Sequence, residues 1–163
     1  TLIALPVFAA ANIEGEQITN GSFDAAIADP WIFWTNASAK QTTENGEVKV
    51  SISDEGAEYW SVQFNFEKIQ VAKGLSYVLK FDARSTVPRD IQVMIEHKGD
   101  PYTKYFGPQT VSLTDKMTTY TYEFTQKAPK DSGSHLVIAL GNVTKKVGQA
   151  HDVFIDNVSF SSK

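Results

Sequence analysis

The chain carries no helical hydrophobic period sustained over three turns; it alternates apolar and polar residues with period two, broken at intervals of about ten residues by turn formers. Trp60, Val62, Phe64 and Phe66 alternate with Ser61, Gln63 and Asn65. Tyr77, Leu79, Phe81 and Ala83 do the same, followed by Ile91, Val93 and Ile95, then Tyr120, Tyr122 and Phe124. Leu136, Ile138 and Leu140 continue the pattern, and Val153, Ile155, Val158 and Phe160 close it. The run from Thr42 to Ile52 contains Asn45-Gly46, whose tolerance of positive φ suits a tight hairpin turn. Short strands of this kind at regular spacing predict an all-β sandwich or barrel, each strand with one apolar and one mixed face.

At 163 residues the chain suits one domain, predicted over 12–163. Aromatics reach 12%, enough to fill a β core and leave rings for an outer face. The net charge of −4, without a basic run longer than Lys145-Lys146, argues against a nucleic-acid partner. The absence of cysteine excludes disulfides, thiolate metal sites and cysteine nucleophiles. No zinc spacing, phosphate-binding loop or nucleophile elbow is present. Residues 1–11, TLIALPVFAAA, are too short to span a bilayer and resemble the tail of a signal peptide, which predicts an exported protein.

Several local patterns occur in a fixed order: Asn20-Gly-Ser-Phe-Asp24, Trp31-Ile-Phe-Trp34, Trp60-Ser-Val-Gln63-Phe64, Tyr77 to Arg84, Asp100-Pro-Tyr102, Leu136 to Gly141 and Val153 to Ser159. Together they resemble carbohydrate-binding modules of families four, nine, sixteen and twenty-two. The resemblance implies a jelly-roll β-sandwich of about nine to eleven antiparallel strands whose cleft holds a β-linked polysaccharide. Cellulose-like glucan, mannan, xylan and mixed glucan all remain open. It also implies a non-catalytic role, targeting an attached glycoside hydrolase to its substrate: a secreted, monomeric module within a larger enzyme, in some cases attached to the cell surface. The alternatives are a cell-surface adhesion domain that binds protein and a small glycan-active enzyme.

A sugar ring offers a face of C–H bonds, which an aromatic ring can cover, and an edge of hydroxyls, which amides can both donate to and accept from. Trp60 and Gln63 are the first candidates. Strict alternation would put Trp60 on the core side, so its exposure requires a bulge or twist at the strand entrance. Gln92, opposite Ile91, Val93 and Ile95, is expected to point outward with Met94 and Glu96 and is a further candidate for lining the same groove. Of Trp31 and Trp34, in a segment read as a loop, one should plug the core and Trp34 should stand at the rim. Tyr102 and Tyr105 are expected in a second wall of the cleft. Arg84 and Arg89 are assigned to surface ion pairs. The resemblance further implies a structural calcium ion at Asp24 and Asp156, with Ser22 and Asn45 supplying further oxygens.

Overall fold

The computed structural model describes residues 14–163, so the segment read as an export signal lies outside the described residues. In chain order the strands are β1 (Trp31–Thr35), β2 (Ser38–Glu44), β3 (Glu47–Asp54), β4 (Val62–Val71) and β5 (Ser76–Ser85). They continue with β6 (Arg89–His97), β7 (Lys104–Leu113), β8 (Thr118–Thr125), β9 (Asp131–Ala139) and β10 (His151–Ser162). A 3-10 turn, Tyr59–Ser61, precedes β4. The strands form two antiparallel five-stranded sheets, ordered β1-β4-β9-β6-β7 and β2-β3-β10-β5-β8. This is the jelly-roll sandwich that the alternation and the resemblance predicted.

The alternation decides which side chains meet between the sheets. Phe64, Phe66, Leu136 and Ile138 from one sheet face Phe81, Ile155 and Phe160 from the other, all buried. The segment expected to be a loop is strand β1, paired with β4 so that Trp31 lies opposite Phe66 and Trp34 opposite Gln63. Because the two tryptophans are three residues apart on a strand, they leave it on opposite faces. Trp31 is 3% exposed, stacks on Phe64 at 4.7 Å and donates its indole N–H to Thr19 O. In the β2–β3 hairpin, Asn45 and Gly46 take φ of 53° and 74°, as a two-residue turn requires.

Two polar clusters fasten the sheet ends. Arg89, assigned above to the surface, is 7% exposed. Its guanidinium donates to Leu140 O and Gly141 O, both at 2.7 Å, and to His151 Nε2 at 2.8 Å. Arg84 does lie outward, 3.7 Å over the Phe154 ring and 3.6 Å from Glu47.

The second cluster gathers on Asp131, which accepts from Gly133 N, Tyr105 Oη and Ser134 Oγ and pairs with His97 Nδ1. Burial pushes its pKa up, but these donors outweigh burial and bring it to about 2. A carboxyl whose folded pKa is depressed adds stability above its unfolded pKa and loses it as pH falls through the folded one. Asp131→Asn is therefore expected to cost about 2 kcal/mol near neutrality. In urea unfolding at stepped pH, that gap should close between about pH 4 and pH 2; a gap of constant size would refute the assignment.

Candidate functional site

The outer face of the first sheet is set by the strand register. One row across it reads Trp34, Gln63, Ala139, Gln92, and the next reads Ile32, Asn65, Val137, Met94. A third joins His135, Glu96 and Lys104, with Glu67 of β4 reaching His135 through its side chain. A groove of about 820 Å³ crosses these rows, from Trp34 and Trp60 at the β1–β4 edge to Tyr102 at the β6–β7 connection. Met94, Val137 and Ala139 are buried beneath this face as a small apolar cluster of their own, with Tyr59 packed against it.

The aromatic end is built by the 3-10 turn. Trp60 sits in that turn and not on β4, so it escapes the alternation that would have sent it inward. Trp34 and Trp60 are 43% and 38% exposed, with ring centroids 6.1 Å apart and planes inclined by 40°. Gln63 donates to Trp60 O at 2.8 Å and accepts from Asn65 Nδ2 at 2.9 Å. Its amide thus braces the turn and keeps half its hydrogen-bonding capacity for the groove. From below, Gly141 N donates to Tyr59 O and Asn142 N to Glu58 O. A Cβ at Gly141 would come within 2.1 Å of Glu58 O, so only glycine allows this approach. Arg89, on the carbonyls of Leu140 and Gly141, holds the platform on which the Trp60 turn rests.

The other end is charged. His135 lies between two carboxylates, with Nε2 3.0 Å from Glu96 and Nδ1 3.5 Å from Glu67. Lys104 reaches Glu96 at 2.5 Å, and Lys98 pairs with Glu67. Burial pushes the Glu96 pKa up, but His135 and Lys104 outweigh it and hold the carboxyl below its ordinary value. Tyr102, 49% exposed and held at φ 55°, stands over this end.

Of the residues expected at the site, Trp34, Trp60, Gln63 and Tyr102 line one groove. Gln92 shares the face and the Gln63 row but lies outside the groove lining, its amide 3.4 Å from Thr110 Oγ1. Tyr105 is displaced for a geometric reason. Lys104 faces the groove, so its neighbour on β7 turns to the opposite side, packs on the main core and donates to Asp131. Burial, then Asp131, pushes the Tyr105 hydroxyl up to about 12. Glu67 and His135 were not anticipated, and Glu96, expected to point outward with Gln92, was given no role. Glu67 and Glu96 lie four positions beyond Gln63 and Gln92 on the same faces, a signal that alternation contained.

The residues expected to hold calcium come only partly together. Ser22 Oγ donates to Asp24 Oδ2 at 2.8 Å, and Asp24 Oδ1 lies 3.7 Å from where a Cβ on Gly46 would sit, over the Asn45–Gly46 turn. Burial raises the Asp156 pKa, the Asn157 N–H lowers it, and the negative charges of Glu47, Asp82 and Asp24 raise it further. Among the described residues, no three histidines or carboxylates converge as a metal-binding group.

A family model described as a carbohydrate binding domain matches residues 15–146. The chain is 24% identical over 151 residues to a cellulose 1,4-beta-cellobiosidase of Acetivibrio thermocellus, covering 85% of this chain and 17% of that protein. It is 25% identical over 157 residues to endoglucanase C of Cellulomonas fimi, covering 94% of this chain and 14% of that one. The chain thus spans less than a fifth of the length of these relatives. Among solved structures, one described as "CBM4 structure and function" superposes with a TM-score of 0.74 at 27% identity, covering 90% of this chain and all of that one. The second N-terminal cellulose-binding domain of the Cellulomonas fimi β-1,4-glucanase C shares the fold, with a TM-score of 0.72 at 23% identity over 95% and 99% of the two chains.

Proposed function

Since this chain belongs to the carbohydrate binding domain family, we propose that it binds a β-linked glucan chain without acting on it, as an extracellular module that holds a glycoside hydrolase to its substrate. The observation that carries this reading is the pair of half-exposed rings, Trp34 and Trp60, at the mouth of a groove floored by Val137 and Asn65. Rings of this kind cover the C–H faces of successive sugar units, while Gln63 and Asn65 meet their hydroxyls. The relatives named above are cellulases, which favours a β-1,4-glucan among the candidate chains. An open groove with few rings suits affinities of about micromolar to millimolar. Titration calorimetry with cello-oligosaccharides of increasing length tests the reading. Heat of binding without release of reducing ends supports it; hydrolysis, or no binding to any β-glucan, overturns it.

The same reading includes a structural calcium ion at Asp24 and Asp156, with Ser22 and Asn45 nearby. Its support is the gathering of Glu47, Asp82 and Asp24 charges around Asp156, which a cation would relieve. An ion that binds only the folded state raises stability. Chelation is expected to lower the melting temperature by several degrees, calcium to restore it, and Asp156→Asn to abolish the response. Identical melting curves with chelator and with calcium would remove the ion from this account.

A further inference from the structure

We propose that Glu67, His135 and Glu96 form the specificity-determining half of the groove, reading the hydroxyls of a neutral sugar unit and rejecting chains that carry carboxylates. This rests on the glycan-binding reading above and names the class of chain that the site accepts.

Three neighbouring strands, β4, β9 and β6, each place an ionisable side chain at one end of the same outer face. The side chains of Glu67, His135 and Glu96 are nine-tenths or more buried. Burying charge on the outside of a sheet is costly, and apolar residues of similar size would hold the sheet at least as well. The cluster also ends in acceptors that the protein leaves incompletely served. Among the described residues, Asn65 Oδ1 is buried in the groove lining without a hydrogen-bond partner. Glu67 Oε2 and Glu96 Oε2 are met only by the ammonium groups of Lys98 and Lys104. Both lysines come from the β6–β7 corner that carries Tyr102, and their side chains are 55% and 30% exposed.

A sugar hydroxyl can enter between such a lysine and its glutamate without leaving either charge alone. It accepts from the ammonium and donates to the carboxylate, while a neighbouring hydroxyl of the same sugar unit can donate to Asn65 Oδ1. A uronate carboxylate has no proton to donate. It would take the lysine for itself, strand a buried glutamate and meet the second glutamate as a like charge. Discrimination here comes from what the wrong chain leaves unpaired.

The test titrates the full chain with β-1,4-glucan oligomers and with β-1,4-glucuronan oligomers of equal length, which differ only in the carboxylate at C6. Salt is set high enough to screen the protein's overall negative charge, so that any remaining selectivity arises at close range. The expected result is glucuronan binding weaker by about tenfold or more. E67Q/E96Q should bind glucuronan more tightly than the parent and narrow the gap to about threefold or less. If that double variant does not fold, Lys98→Ala on the exposed rim still discriminates: neutral binding should fall severalfold while glucuronan stays excluded. Equal affinity of the unaltered protein for both oligomers overturns the proposal and leaves the glycan-binding reading standing. Binding of neither oligomer overturns both.

Discussion

Trp60→Ala is expected to cut affinity for a neutral β-1,4-glucan oligomer by about thirtyfold or more, about 2 kcal/mol, while the protein stays folded. The expectation follows from where the ring stands. Trp60 occupies the 3-10 turn ahead of β4, more than a third exposed, and its ring neighbour is Trp34 across the groove mouth. Removing it takes little from the main core, so the melting temperature should move by a few degrees at most. Trp34→Ala should act similarly, and the double variant should lose less than the sum because the rings face each other and a common ligand. Affinity electrophoresis alongside thermal melts checks this. Undiminished retardation of Trp60→Ala, or its collapse into an unfolded chain, would contradict the placement of the ring.

Arg89→Ala is expected to cost about 3 to 5 kcal/mol of stability and to disorder the Trp60 turn. The guanidinium is buried, and burial brings its pKa down to about 10 against the opposing influence of Glu55 and Asp90. Truncation would strand the carbonyls of Leu140 and Gly141, and a buried acceptor without a donor bears its full desolvation cost. Those residues also donate upward, Leu140 to Val62 O and Gly141 to Tyr59 O, so damage at Arg89 reaches the groove. His151 adds a pH signature. A guanidinium can only donate, so Nε2 must accept, and Nδ1 is left to donate to Gln149 O. The ring is therefore neutral, and burial, helped by Arg89, lowers its pKa. Protons bind the unfolded ring first, so stability is full above the unfolded value and drains away as pH falls below about 6.5. Urea unfolding should show that acid loss in the parent chain. An Arg89→Ala protein of parental stability would dismiss the clamp.

The architecture was legible because alternation is a local property. Each strand records in its own residues which face is apolar, and most inward positions read from the chain are buried, with Tyr120, Tyr122 and Phe124 of β8 only partly so. What alternation lacks is knowledge of neighbours. Glu67, His135 and Glu96 are distant in sequence and meet only because β9 lies between β4 and β6. Arg89 looked like a surface residue because its partners are backbone carbonyls, which sequence does not display. Trp34 was placed well by the three-residue spacing from Trp31, even though the segment was read as a loop. Tyr105 was misplaced because its neighbour Lys104, and not the ring, takes the groove side. The calcium positions came from resemblance, and the protein gathers the charges of Glu47, Asp82 and Asp24 around Asp156.

Strand β1 lies at the margin of its sheet, and among the described strands it pairs with β4 alone. Trp34, one of the two exposed rings of the groove, therefore hangs from a five-residue ribbon at a sheet edge. Trp31, driven through to the other side and stacked on Phe64, works there as a rivet. Any load placed on Trp34 would pass along β1 to Trp31 and so into the interior, because the outward ring and the buried one share one short piece of backbone.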